Sequence, residues 1–135
     1  MDTKKVAAAI IRSGEMILLT RRKQGEKLAG YWEFPGGKVE DGESPQQTIE
    51  REIQEELHVS VKAGKIVTSS VYNYTHGAIE LIAVYADIVS GTIQLTVHDK
   101  YDWVEVPDLL AYKLAPADIP IAEELIANDR ENRRN

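Results

Sequence analysis

Residues 44–57 are the part of this chain whose structure local signals constrain most tightly. Ser44 is a good helix N-cap, Pro45 suits the first helical position, and Gln47 stands three residues after Ser44, as a capping box requires. Beyond this start, aliphatic residues recur at every fourth position: Ile49, Ile53 and Leu57. The pattern predicts an amphipathic helix that runs to about Leu57 and packs on a core through this stripe.

The residues before this helix favour β-structure. Residues 6–11 and 16–20 are apolar runs separated by a Ser-Gly turn signal, which predicts an antiparallel hairpin. A polar loop then leads to a short aromatic strand at 31–34, which is predicted to stop at the Pro-Gly-Gly of residues 35–37.

The residues after the helix also favour β-structure until near the C-terminus. Strands are predicted at 66–74, 79–88 and 103–106, with a weaker one at 92–97 and a turn at His76-Gly77. A last amphipathic helix is predicted from about Ile119 to Ala127. Strands on both sides of a central helix, with a second helix at the end, indicate a mixed α/β (α+β) sandwich and not a doubly wound parallel fold.

Length and composition suit one ordinary domain. The chain has 135 residues and no cysteine, so we expect a single domain over residues 1–130, a polar tail at 131–135 and a cytoplasmic location. The apolar stretch at 6–11 is too short for a signal or membrane segment. The formal net charge of −6 argues against binding a nucleic-acid polymer, so an anionic substrate would need metal ions or a few placed cations.

The central helix carries three carboxylates on one face. At about 100° per residue, Glu55 lies about 60° to one side of Glu52 and Glu56 about 40° to the other. One interpretation is a solvated acidic face, paired with Arg51 and Lys62. The other is a divalent cation site, since a cation would remove the repulsion between like charges. All-oxygen ligands favour a hard ion, so the expected cofactor is Mg²⁺, with Mn²⁺ as the alternative.

The segment before the helix favours the metal site. Gly36 and Gly37 give a backbone that can approach a ligand closely. Lys38 follows at once with a cation suited to phosphate, and Glu43 adds a carboxylate at the helix entrance.

Residues 37–59, GKVEDGESPQQTIEREIQEELHV, resemble the box of the Nudix family, G-x5-E-x7-R-E-U-x-E-E-x-G-U, in which U is a bulky aliphatic residue. The positions that match are Gly37, Glu43, Arg51, Glu52, Ile53, Glu55, Glu56 and Val59. His58 replaces the second glycine, and we expect it to end the helix at the cost of modest backbone strain. The segments TRRK, WEFPGGKVE and LAPADIP extend the similarity to MutT-type nucleotide pyrophosphohydrolases over nearly the whole chain, and LAPADIP is most similar to their CTP pyrophosphohydrolase branch.

This resemblance implies a mixed sheet flanked by a catalytic helix and a C-terminal helix, together with a metal site. The implied metal ligands are the Gly36 carbonyl, Glu52, Glu56 and, directly or through water, Glu55. Arg51 would hold the glutamates in place, and Glu43 is grouped with the catalytic residues. The implied reaction is attack of water on the β-phosphorus of a nucleoside triphosphate, giving the monophosphate and pyrophosphate, with Glu52 or Glu55 as the base.

The resemblance also implies contacts to the nucleotide. Arg22 and Lys38 would contact the polyphosphate, the alternative being ordinary surface charge. Phe34 would face the base or serve as a core aromatic residue. Asp118 would accept from an amino group of the base, or donate to a carbonyl when protonated, or else cap the last helix. Cytidine nucleotides and 8-oxo-dGTP are the leading substrates, which suggests the removal of ordinary or damaged nucleotides.

One departure affects the implied metal site. Val97 stands where related enzymes often carry a further glutamate ligand. Asp99 is the candidate to replace this glutamate ligand, if the loop is shifted so that its carboxylate reaches the metal. His98 is expected at the surface or behind the ligands. Alternative functions are hydrolysis of ADP-ribose or dinucleoside polyphosphates, with Tyr72 and Tyr74 stacking a second base, and a non-catalytic Nudix module that binds nucleotides or a protein. No membrane partner is expected, and the protein is expected to be a monomer or a homodimer.

Overall fold

A computed structural model describes residues 3–75 and 77–134 of the chain. The elements are β1 (Thr3–Ser13), β2 (Met16–Arg22), β3 (Trp32–Glu33), β4 (Gly36–Lys38), α1 (Pro45–Leu57), β5 (Ser60–Tyr74), β6 (Gly77–Ser90), β7 (His98–Glu105) and α2 (Ile119–Arg134). Two short 3-10 helices, at Val106–Ala111 and Pro116–Asp118, connect β7 to α2.

β1 lies inside a mixed sheet. It pairs in parallel with β6 along most of its length, and its other edge pairs antiparallel with β2 and β4. β3 and β7 extend the sheet through antiparallel pairs with β2, and β5 pairs antiparallel with β6. Residues 7–11 of β1 are all buried, as expected for a strand that is covered on both faces. The predicted mixed α/β fold and the β1–β2 hairpin are confirmed.

The two helices cover opposite faces of this sheet. Side chains alternate along a strand, so neighbouring residues of β1 enter different cores. Ile10 belongs to the core that contains Ile121 of α2, whereas Ile11 belongs to the core that contains Ile49 and Ile53 of α1. The predicted apolar stripe of α1 is fully buried, which confirms its orientation.

The ends of α1 follow the local signals in the sequence. The Ser44 hydroxyl accepts from the Gln47 backbone N–H at 3.1 Å, and the Gln47 side chain accepts from the Ser44 N–H at 2.8 Å. His58 ends the helix in the left-handed region, at φ 60 and ψ 30, and its N–H donates to the Gln54 carbonyl. The predicted capping box and the terminating role of His58 are therefore confirmed.

The predicted weaker strand at 92–97 is wrong. Its polar groups bond to the end of α1: the Gln94 N–H donates to the Leu57 carbonyl and the Thr96 hydroxyl to the Glu56 carbonyl, both at 2.9 Å. Because the last carbonyls of a helix lack partners within it, this segment is used to complete α1 and does not join the sheet. The final strand instead begins at His98, earlier than predicted.

Other boundaries also differ from the prediction. Gly36–Lys38, predicted as part of a stop, forms the short strand β4 against β1. The final helix continues past Ala127 to Arg134. The turn predicted at 76–77 falls partly outside the described residues, since His76 is not among them. Neither helix of the described residues combines the length and apolar character that a membrane span requires.

Candidate active site

A cleft of about 430 Å³ opens beside β1, β3 and β4. Its walls include the four predicted substrate contacts, Arg22, Phe34, Lys38 and Asp118, together with Gly36, Gly37 and Glu33. The fold therefore brings together residues that lie far apart in the sequence. Glu33 was not singled out by the sequence analysis.

At each of the two glycines of β4, a different neighbour leaves no room for a Cβ atom. A Cβ on Gly36 would lie 1.9 Å from the backbone oxygen of Ala7, so β4 approaches β1 more closely than a side chain permits. A Cβ on Gly37 would lie 2.3 Å from the carboxyl carbon of Glu52. β4 therefore acts as a flat backbone surface against which the Glu52 carboxylate of α1 packs.

Arg51 connects the predicted catalytic carboxylates. Its guanidinium donates to Glu43 at 2.7 and 3.0 Å, to Glu52 at 2.7 Å and to the Lys38 carbonyl at 3.2 Å. Glu55 is more loosely held, with its carboxylate 3.6 Å from Arg51 and 59% of its side chain exposed. The hydrogen bond from Arg51, supported by bonds from the Glu40 N–H and the Thr48 hydroxyl, lowers the pKa of Glu43 to about 2. Arg51 thus fixes the orientation of α1 relative to β4.

Glu56 has an unusual environment for a carboxyl group. Its Oε1 is buried without a hydrogen-bond partner among the described residues. Burial, and then the charges of Glu33 and Glu52, raises the pKa of Glu56 to about 8, while the Arg22 charge acts in the opposite direction. Carboxyl groups therefore crowd together here with too little positive charge nearby to compensate them.

Glu33 joins this group from β3. Its Oε2 lies 2.8 Å from Nε2 of His98 and 3.6 Å from Nε of Arg22. The His98 side chain is fully buried, so the expectation of a surface histidine is wrong. It contacts Glu33 of the cleft wall, and the alternative, a position behind the metal ligands, stays a prediction. Successive side chains of a strand point to opposite faces, so Asp99 points away from His98 and Glu33. Its carboxylate accepts two hydrogen bonds from Arg21, at 2.8 and 3.1 Å.

The other end of the cleft is less polar. Phe34 is 3% exposed and belongs to the core that contains Ile121 of α2, which confirms its core role; it also lines the cleft, and its contact with a base stays a prediction. Asp118 is 5% exposed in the cleft wall. Burial, and then the charge of Glu33, raises the pKa of Asp118 well above its usual range, although a backbone hydrogen bond from Phe34 acts against this shift. The buried site favours the neutral, protonated acid.

The carboxylate oxygens do not converge on a common point. Within residues 3–75 and 77–134, no three His, Asp or Glu side chains meet in an arrangement that would hold a metal ion. Glu52 is turned toward Arg51, and Glu55 extends into solvent. Side-chain rotation on α1 would be needed to aim these oxygens at a common point.

Known proteins resemble this chain over most of its length. The family model described as NUDIX domain matches residues 2–125. The CTP pyrophosphohydrolase of Escherichia coli (strain K12) is 40% identical over 127 residues, which cover 94% of each protein. The 8-oxo-dGTP diphosphatase of Haemophilus influenzae is 32% identical over 135 residues, which cover 98% of each.

Solved structures show the same fold. The solution structure of the E. coli ORF135 protein has a TM-score of 0.83 and 39% identity, covering 94% of this chain and 91% of that one. The crystal structure of the MutT protein from Methanosarcina mazei Go1 has a TM-score of 0.77 and 28% identity, covering 98% of both chains.

Proposed function

The chain belongs to the Nudix family of hydrolases and acts on nucleotides as a pyrophosphohydrolase, and we propose that its substrates are nucleoside triphosphates. Water would attack the β-phosphorus, and the products would be the nucleoside monophosphate and pyrophosphate. The observation that carries the proposal is the buried Glu56 carboxyl group, which is crowded by Glu33 and by Glu52, while Glu52 itself packs against Gly37 of β4. Glu33 and Gly37 line the cleft together with Arg22 and Lys38.

The donor set fits a divalent cation, Mg²⁺ or Mn²⁺. Oε1 of Glu56 has no hydrogen-bond partner among the described residues, and burial, followed by the neighbouring carboxylates, raises the pKa of this group, so a cation here would be strongly stabilising. Glu52, Glu56 and the Gly36 carbonyl would hold the ion, with Glu55 as a further ligand or a contact through water. When bound, such an ion neutralises phosphate charge and lowers the pKa of a coordinated water.

The protein's own side chains would position the ligands, bind the polyphosphate and accept the proton of the attacking water. Arg51 keeps Glu52 in position through the contact at 2.7 Å. Arg22 and Lys38 would bind the polyphosphate, because both line the cleft and carry the charge that the substrate needs. Glu52 and Glu55 are both candidates to accept the proton of the attacking water, and Glu55 is the more accessible of the two.

Asp118 would contribute to the choice of base. A neutral carboxyl group both donates and accepts, so it can pair with a base edge that presents a carbonyl beside a donor, as 8-oxoguanine does. The same carboxyl oxygen can accept from the amino group of cytosine. We therefore propose 8-oxo-dGTP and cytidine triphosphates as the leading substrates, and the removal of damaged or surplus nucleotides as the role.

A second cavity, of about 640 Å³, gives one specific reason to consider larger substrates. It shares Lys4, Lys27, Leu28, Tyr74 and Ile79 with the cleft. An aromatic ring next to two cations is suited to a further base and phosphate. ADP-ribose and dinucleoside polyphosphates therefore form the second class to be tested.

Steady-state assays with Mg²⁺ would test the proposal. The panel contains CTP, dCTP, dGTP, 8-oxo-dGTP, ADP-ribose and a dinucleoside tetraphosphate, and monophosphate and pyrophosphate are both quantified. We expect Glu56→Gln to lower kcat/KM by about a hundredfold or more. We also expect Mg²⁺ to raise the Tm of the wild type but not that of Glu56→Gln.

Glu124→Gln is the matched control, because Glu124 is an exposed glutamate of α2, away from the cleft. It should keep the wild-type rate and the Tm response to Mg²⁺. Full pyrophosphate release by Glu56→Gln would refute the proposed metal site, and a preference for ADP-ribose would replace the proposed substrate class.

A further inference from the structure

His98, at the start of β7, lies behind the cleft and outside the family motif. Its Nε2 is 2.8 Å from Oε2 of Glu33, and Nε of Arg22 is 3.6 Å from the same oxygen. Two positively polarised groups therefore face one carboxylate oxygen. His98 makes the hydrogen bond, and Arg22 remains beyond hydrogen-bond distance.

The strand register produces this arrangement. Glu33 of β3 is opposite Thr20 of β2, and His98 of β7 is opposite Arg22, where the β2–β7 register shifts. Residues two apart on a strand, and residues opposite one another on paired strands, project to the same face. Glu33, Arg22 and His98 therefore meet on one face although they come from three strands.

Arg22 is left without a close partner. Its Nε is buried and has no hydrogen-bond partner among the described residues. Its carboxylate neighbours, Glu33 and Glu26, lie at 3.6 and 3.8 Å. The guanidinium also lines the cleft, so its donors can be given to an anionic substrate.

The contact with Glu33 indicates how the His98 ring is protonated. Nδ1 is buried without a partner among the described residues. The Glu33 carboxylate can only accept a hydrogen bond, so the ring nitrogen that faces it, Nε2, must carry a proton. The ring therefore donates to Glu33 from Nε2.

We propose that His98 is a positioning residue that holds Glu33 away from Arg22 and thereby keeps the Arg22 guanidinium available to the polyphosphate. Without the His98 donor, a movement of the Glu33 carboxylate by about 1 Å would complete a salt bridge with Arg22. The phosphate would then have to displace that carboxylate. The inference rests on the proposed function, because it requires that Arg22 binds the polyphosphate.

Replacing His98 with leucine would test the role. His98→Leu fills the buried space but has no donor, whereas His98→Gln places an amide N–H near the position of Nε2. On the preferred triphosphate with Mg²⁺, we expect His98→Leu to raise KM about tenfold, with kcat changed by less than about twofold. His98→Gln should restore KM to near the wild-type value.

A second background separates this role from a general structural one. Glu33→Gln removes the negative charge that would occupy Arg22, so adding His98→Leu to Glu33→Gln should leave KM nearly unchanged. If His98→Leu does not fold, His98→Asn replaces it, because the shorter asparagine amide cannot reach Glu33. His98→Asn should then raise KM while His98→Gln does not.

Three results would overturn the positioning role: an unchanged KM in the variant that lacks the donor, failure of His98→Gln to restore KM, or an equal rise of KM in the Glu33→Gln background. A wild-type protein that releases pyrophosphate from no triphosphate would refute the proposed function as well. The two failures are therefore distinguishable.

Discussion

Alanine at the two adjacent glycines of β4 should separate catalysis from folding. A Cβ at position 37 would lie 2.3 Å from the carboxyl carbon and Oε2 of Glu52, whereas ordinary contacts of this kind are about 3.5 Å. The Glu52 carboxylate must therefore move by about 1 Å. Such a displacement of a catalytic group costs about a hundredfold, so we expect Gly37→Ala to lower kcat/KM by about that factor.

The same substitution should have little effect on stability. The atoms that must move belong to the end of a flexible side chain, and the Arg51–Glu52 pair that they weaken is partly exposed. Partly exposed ion pairs contribute about 1 kcal/mol or less, so the Tm of Gly37→Ala should stay within about 4 °C of the wild type.

Gly36→Ala should behave in the opposite way. Its Cβ would lie 1.9 Å from the Ala7 oxygen and 2.9 Å from the Ala7 carbonyl carbon, in the backbone of a buried strand that cannot rotate away. We expect β4 to separate from β1, at a cost of about 3 kcal/mol and a fall in Tm of about 10 °C. Pyrophosphate release and thermal unfolding followed by circular dichroism would measure both effects. Wild-type kcat/KM in Gly37→Ala would refute the reasoning, as would equal losses of Tm in the two variants.

Three further predictions concern charge and capping. Asp118→Asn should remove one component of the pH dependence of stability: burial raises the pKa of Asp118, so the contribution of this carboxyl group to the free energy of unfolding is complete below the unfolded-state pKa of about 4 and is lost as pH rises toward the folded-state pKa. Urea unfolding at several pH values would show this slope, and an equal slope in the variant would contradict it. Arg51→Lys should lower kcat/KM about tenfold, because an ammonium group cannot bridge Glu43 and Glu52 as the guanidinium does, and unchanged steady-state kinetics would show the bridge to be unimportant. Ser44→Ala should cost about 1 kcal/mol in urea unfolding through loss of the helix cap, with KM unaltered; no loss of stability would argue against the cap.

The features predicted correctly from the sequence are those encoded by neighbouring residues. The capping box at Ser44 and the end of α1 at His58 involve residues at most four positions apart. The apolar stripe of α1 is likewise a local repeat, so its burial could be inferred without knowing what lies opposite.

The errors concern partners that are distant in the sequence. Ile93 and Leu95 alternate like strand residues and do pack on the α1-side core, yet their backbone lies beside the end of α1 and not beside another strand. Alternation reports which side chains face a core, but it does not identify the hydrogen-bond partner of the backbone.

The same limit explains why Glu33 was missed. Its contact with His98 joins residues that are 65 positions apart in the sequence. The contact depends on the register in which β3 and β7 each pair with β2. A glutamate between two aromatic residues of a short strand was the one available signal, since an apolar strand has no structural need for a carboxylate there. That signal identifies an unusual residue but not its partner.

The distribution of charge within the cleft accounts for how an acidic protein can bind a polyanion. The carboxylates that act on Glu56 come from α1 and β3, while Val97 adds no charge and Asp99 is paired with Arg21. A divalent cation would stabilise this acidic group. Arg22 and Lys38 lie in the same cleft, so a polyphosphate would meet positive charge from the protein and from any bound cation together. The net charge of −6 would then repel a nucleotide that carries no metal ion. A nucleotide would therefore be favoured to enter the cleft as its metal complex.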